Sequence, residues 1–341
     1  MQNNTSKSSI IILSGSLILL LFLSFFDIFI GSVPIPVSDL FSFFTDGEIS
    51  ETHSVILTEF RIPKMITAIL AGAGLSVAGL LMQTIFRNPL AGPYILGISS
   101  GASLGVSLLL LGFSSIFGAF FSSFAGNWLI ILSAWLGAAA VMLIIFVVSA
   151  KVQDVMTILI LGVLLGSAIS AIVGVLQFLS QAQELKIFVL WTMGSVSGVT
   201  KEQLQVFIPV VVLGIFISFF QIKNLDVLLL GENYARSSGL NIFKTRASIF
   251  FITSLLAGSI TAFCGPIGFV GIVVPHFARS LMQTAMHRTL IPAVALLGAN
   301  VMLISDILSN LPLFSGTIPI NSVTSILGIP FVIMIILKNK I

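Results

Sequence analysis

Few residues in this chain could do chemistry, and their types limit what that chemistry is. His276 sits in "GFVGIVVPHFARS", within an apolar run. An imidazole at membrane depth raises a proton relay or a metal site. A relay needs a partner carboxylate and a metal needs further ligands, and neither lies nearby at helical spacing. Pro275 leaves the carbonyl one turn earlier without its donor, so His276 could instead satisfy the polar groups around that kink. Asp27 and Asp306 fall near the outer ends of apolar runs. Cys264 is the single cysteine; it can form no internal disulfide and belongs to no metal-ligand spacing, which leaves a packing role. No HExxH or GxSxG pattern offers a hydrolytic centre, and no GxxxxGK[ST] loop offers a nucleotide site. The expectation is no catalytic residue and no bound metal.

The elements that must position these groups are membrane helices. The chain has 341 residues, 57% hydrophobic and 8% charged, with mean hydropathy +1.16. Soluble domains carry about 25% charge, so this chain could not cover a water-facing surface. Apolar runs place spans at about 9–30, 63–86, 94–112, 128–149, 153–180, 202–221, 245–264, 268–285, 290–309 and 322–338. The fold class is therefore an all-α polytopic membrane protein of about ten transmembrane helices, read as one domain over 1–341. Residues 184–199 are expected to hold a short helix that does not cross. The run 10–26 is longer than a signal-peptide core and lacks a small-x-small site after it, so it reads as a retained first span.

Orientation follows from basic residues in alternate loops. With a cytoplasmic N-terminus, eleven Lys and Arg fall inside: Lys7, Arg87, Lys151, Lys223, Arg236, Lys244, Arg246, Arg279, Arg288, Lys338 and Lys340. Four fall outside: Arg61, Lys64, Lys186 and Lys201. Both termini are then cytoplasmic. The external loop 31–61 carries Asp39, Asp46, Glu48, Glu51 and Glu59. The net charge of +3 is scattered, with no basic cluster for nucleic acid.

Glycine is frequent in the spans. "ILAGAGLSVAGLLMQ" puts Gly72, Ser76 and Gly79 three or four apart, a face that lets helix backbones come close. "LAGAGLSVAG" (70–79) faintly echoes "LAGSITAFCG" (256–265), running the opposite way across the membrane, as in inverted repeats.

One polar interruption stands out. "LLLGENYARSSGLN" (228–241) lies inside by the charge count, with Glu232 and Arg236 four apart in the favourable order for an ion pair. Gly239 suits a helix C-cap. Read alone, it is either a solvated loop or a docking element. Buried carboxylates for ion coupling and charged rings for a fixed pore are not evident. An energy source on another chain fits this better, although an ion-coupled transporter or channel stays open.

Several blocks, in order, resemble the FecCD/BtuC-type permeases. They are "RIPKMITAILAGAGLSVAGLLMQTIFRNPLAGPYILGISSGASLG" (61–105), "WTMGSVSG" (191–198), "LGENYARSSG" (230–239), "GPIGFVGIVVPHFAR" (265–279), "HRTLIPAVALLGA" (287–299) and "DILSNLPLFSGTIPINSVTSILGIPF" (306–331). These are membrane subunits of ABC importers for iron–siderophores, haem and cobalamin. The resemblance implies a BtuC-like fold in the bacterial inner membrane and a dimer with a second permease subunit. Substrate would then pass along the dimer interface, by alternating access. It implies a separate cytoplasmic ATPase dimer, which alone carries ATP and Mg, and an extracytoplasmic binding protein. This chain itself is then not an enzyme and binds no cofactor. The coupling loop would span about 224–243, with Gly231, Glu232, Ala235, Arg236 and Gly239 meeting the ATPase. Arg61 and Lys64 match a family motif that holds carboxylates of the binding protein. Asn310 and Thr317 stand where the family often has an arginine and an acidic residue. Val155 and Met156 align with the cytoplasmic gate, where apolar side chains could close by dewetting.

Overall fold

A computed structural model describes residues 2–31, 33–45, 47, 49–113, 124–152, 154–311 and 317–338. Asp46, Glu48 and Lys340 lie outside them. The described residues are nearly all helical and contain no strand. In chain order the helices are α1 (Gln2–Phe29), α2 (Val37–Phe44), α3 (Glu51–Val55), α4 (Ile62–Phe86), α5 (Ile98–Ser107), α6 (Phe124–Ser149), α7 (Val155–Leu179), α8 (Ala182–Thr192), α9 (Lys201–Phe219), α10 (Ile222–Leu229), α11 (Glu232–Ser237), α12 (Ile242–Cys264), α13 (Val270–Met282), α14 (His287–Ser309) and α15 (Ile320–Lys338). A wide π-type turn, Ile56–Arg61, joins α3 to α4, and a second, Leu108–Gly112, extends α5.

Among the described residues seven helices are long and apolar enough to cross a bilayer, and three shorter apolar helices join them: Ile98–Gly112, Val270–Met282 and Ile320–Met334. A helix thus lies at each of the ten expected spans, and seven of these helices are long enough to cross. Two are shorter than their hydropathy. The run at 94–97 is turn rather than helix, because Gly97 takes a φ of 80° and starts α5 only at Ile98. The run at 268–285 is helical only over α13, which starts after Phe269 and ends at Gln283, both at positive φ. The expected non-crossing helix in 184–199 is α8, which ends at Thr192. The external loop is not plain coil; it folds α2 and α3.

Local chemistry starts these helices where the chain leaves the apolar layer. Asp154 caps α7 by accepting from the N–H groups of Met156 and Thr157. Thr200 and Gln203 form a reciprocal capping box on α9. Asn241 caps α12 through the Lys244 N–H.

α4 is the hub. Lipid tails are as apolar as leucine, so helices in a membrane associate through close packing rather than water exclusion. The small face of α4 provides that contact. A Cβ on Gly72 would run into the Gly298 carbonyl of α14, and one on Gly79 into the Gly271 carbonyl of α13. Ser76 also packs against Gly298. Most of α4, α12 and α14 is buried within the chain.

α1 and α7 lie at the periphery. On α7, Ile158, Gly162, Ile169 and Val173 are buried. Met156, Ile160, Val163, Leu164, Ile172 and Phe178 are exposed and form an apolar face.

Candidate functional site

At the inner end of the bundle, α10 and α11 form a bent pair between the spans α9 and α12. Gly231 makes the bend with φ 115° and ψ 145°, a conformation that a side chain disfavours. Gly239 ends α11 at φ 83°. Its N–H donates to Arg236 O, and the Leu240 N–H donates to Ala235 O, the paired bonds of a Schellman cap. Ala235 is buried beneath, while Tyr234 and Arg236 face out.

The ion pair expected within this helix forms elsewhere. Glu232 Oε1 lies 2.5 Å from Arg246 Nη2 of α12, not on Arg236. The first turns of α12 run beside α11, so a buried arginine there, 5% exposed, holds Glu232. Arg236 instead lines a groove with Ser149, Asn241, Phe243 and Arg246. α10 is also fixed to α4, because Arg87 Nη2 donates to Leu228 O at 3.0 Å.

Val155 and Met156, the residues expected at the gate, come to the same place. A cavity of about 570 Å³ is lined by Arg87, Val155, Leu230, Gly231, Glu232 and Tyr234, together with Asp154. Val155 is half-buried at the first turn of α7 and Met156 is exposed beside it. The hydrogen bonds from Thr157 and the Met156 N–H hold the Asp154 carboxyl below its ordinary value. Residues more than seventy positions apart thus share one cavity: the cap and first turn of α7, and the turn of α10–α11.

Arg61 and Lys64 occupy the opposite, outer end, and both side chains turn into the protein. Arg61 Nη1 donates to Ile28 O at 2.6 Å and Phe29 O at 2.9 Å, and Nη2 donates to Val33 O. The guanidinium therefore closes the C-terminal carbonyls of α1. Lys64 Nζ lies 2.7 Å from Asp306 Oδ2 of α14 and 3.4 Å from Asp27 Oδ1 of α1. Asn310 Nδ2 donates to Asp306 Oδ1, and Thr317 is exposed nearby in sequence. Farther out, Lys201 pairs with Glu59 in solvent. Charge spacing did not reveal this buried cluster. The signal was present: three ionisable residues inside apolar runs must find one another.

Between these ends, Tyr94, Ser100, Ser167 and Ser170 line an open cavity of about 480 Å³ along α5 and α7. The Tyr94 hydroxyl lies 3.3 Å from Thr261 Oγ1. His276 is half-buried on α13 beside Pro275. Among the described residues no group of three or more His, Cys, Asp or Glu could hold a metal, and Cys264 is buried.

Known proteins share both sequence and architecture. The hemin transport system permease protein HmuU of Yersinia pestis is 34% identical over 288 residues, covering 84% of each chain. The vitamin B12 import system permease protein BtuC of Photorhabdus laumondii is 35% identical over 292 residues, 85% of this chain and 84% of that one. The iron(3+)-hydroxamate import system permease protein FhuG of Bacillus subtilis is 30% identical over 341 residues, 99% of each. A solved structure, an inward-facing conformation of a metal-chelate type ABC transporter, superposes with TM-score 0.84 at 29% identity, covering 96% of this chain and 99% of that one. The model of the FecCD transport family matches residues 18–338, and the chain is a member of that family.

Proposed function

We propose that this chain is the membrane subunit of an ABC importer that moves a metal chelate, most simply a ferric siderophore, into a bacterial cytoplasm. Haem and cobalamin are the competing cargoes, since relatives are named for all three classes. Two copies would form the passage along their interface. The exposed apolar face of α7 and the hydroxyl-lined cavity of Tyr94, Ser100, Ser167 and Ser170 would be its wall. Such a wall offers hydrogen bonds without fixed charge, which suits a bulky chelate of low net charge.

A separate ATPase dimer would supply the energy. Its docking surface would be α10–α11, where Leu229, Leu230 and Tyr234 are exposed apolar side chains beside Arg236. The observation that carries this reading is the shared cavity. Gly231 and Glu232 border the same space as Val155 at the gate helix. Closure of the ATPase would shift the α10–α11 bend and so change the cavity against which Val155 and Met156 close. The binding protein would dock outside, on the surface around Arg61, Lys64 and the exposed Lys201–Glu59 pair.

The test is reconstitution of the chain with its ATPase and binding protein in liposomes. ATP hydrolysis should be stimulated by one of ferric hydroxamate, haem or cobalamin bound to the binding protein. Uptake that proceeds without any ATPase would overturn the reading in favour of an ion-coupled transporter.

A further inference from the structure

At the inner end one imidazole joins three helices. His287, the first residue of α14, is 1% exposed. Its Nδ1 lies 2.6 Å from Asp226 Oδ1 on α10, and its backbone N–H donates to that same oxygen at 2.9 Å. Its Nε2 lies 2.8 Å from Thr84 Oγ1, in the last turn of α4. The Thr84 hydroxyl has one hydrogen, which it donates to Leu80 O at 2.8 Å. Thr84 therefore accepts from His287 Nε2–H, and the short Nδ1–Asp226 contact holds a second proton between the ring and the carboxyl. The carboxylate also meets the first amide of α14, where the helix dipole favours negative charge. The ring cannot turn without breaking contacts on two helices.

Asp226 rides on α10, which the Arg87–Leu228 bond also ties to the end of α4. On the far side of His287, α4 and α14 are in backbone contact at Gly72 and Gly298. They are joined again at the outer end by Lys64 and Asp306. A displacement delivered to His287 thus reaches two helices that must move together.

We infer that His287 is a positioning residue: with Asp226 and Thr84 it transmits displacement of the α10–α11 pair to the α4–α14 pair. This rests on the reading of the chain as an ATPase-driven permease. It adds a route for the movement that leads away from the gate helix and into the hub of the fold.

The experiment uses the full complex in proteoliposomes, with ferric hydroxamate, haem or cobalamin, whichever the unsubstituted complex imports. If that complex imports none of them with ATP, the permease reading fails, not this inference alone. The readout is chelate imported per ATP hydrolysed, measured on complexes that retain the ATPase at the unsubstituted yield. His287→Ala should lower that ratio about tenfold, equivalent to about 1.4 kcal/mol of coupling. Asp226→Ala should lower it similarly, and the double variant should be no worse than either single, as for residues acting through one contact. Thr84→Val should lower the ratio, while Thr84→Ser, which keeps the hydroxyl, should hold it. An unchanged ratio in His287→Ala, or additive losses in the double variant, overturns the inference. If His287→Ala does not assemble, the Thr84 pair decides, and equal ratios in Thr84→Val and Thr84→Ser overturn it.

Discussion

Glu232 Oε1 and Arg246 Nη2 lie 2.5 Å apart and tie the first turn of α11 to the second turn of α12. The pair is asymmetric: the arginine is 5% exposed and the glutamate 29%. Loss of Glu232 takes a carboxylate contact from a buried arginine, whereas loss of Arg246 leaves a glutamate that already touches water. Glu232→Ala should therefore destabilise more than Arg246→Ala, by about 2 kcal/mol, below the full cost of a buried pair because Glu232 already touches water. Thermal unfolding of the detergent-purified chain checks this. Equal shifts for the two variants would mean that the pair is solvated after all.

Arg236 makes the opposite case. It faces out from α11 and is not the partner of Glu232, so its charge contributes little to folding, about 0.5 kcal/mol or less. Arg236→Glu should leave the melting temperature nearly unchanged and sharply reduce co-purification of the ATPase. An undiminished complex in pull-down would remove Arg236 from the docking surface.

Lys64 sits between two buried carboxylates, Asp27 and Asp306. Lys64→Met alone should cost about 3–5 kcal/mol, because it leaves both acids unneutralised. The triple variant Lys64→Met, Asp27→Asn, Asp306→Asn should recover most of that loss. Expression yield and unfolding temperature report it. If Lys64→Met instead folds normally and loses only binding-protein affinity, the residue works by docking alone.

Gly79 tests the packing of the hub. An added Cβ would meet the Gly271 carbonyl, which belongs to a helix backbone and cannot step aside. Gly79→Ala should destabilise by about 1–3 kcal/mol despite the better helix propensity of alanine. Gly174→Ala, with open space around it, should be neutral or stabilising by the same assay.

Asp154 gives a pH dependence with a defined sign. Its folded carboxyl is held below the ordinary value of 3.8 by the Thr157 and Met156 hydrogen bonds. The cap therefore stabilises α7 above that ordinary value and is lost as pH falls through the lower, folded one. The unfolding temperature of Asp154→Ala should approach that of the unsubstituted chain in strong acid and fall below it at neutral pH. A constant difference across that range would rule out a titrating cap.

The sequence by itself determined the architecture, because the membrane imposes a one-dimensional code. Apolar length fixes where a span must be, and scattered Lys and Arg fix which loops share a side. Short-range chemistry was legible for the same reason. The cap at Gly239 and the small face of Gly72, Ser76 and Gly79 depend on neighbours within a few turns. Only the tertiary structure decided which charges meet. Glu232 had Arg236 at ideal spacing, yet it pairs with Arg246 because α12 packs beside α11 and buries that arginine. Arg61 and Lys64 read as outward bases, but low dielectric favours partners inside the protein, and the ends of α1 and α14 supply them. His287 meets Asp226 and Thr84 across 61 and 203 positions, a conjunction that no local pattern encodes.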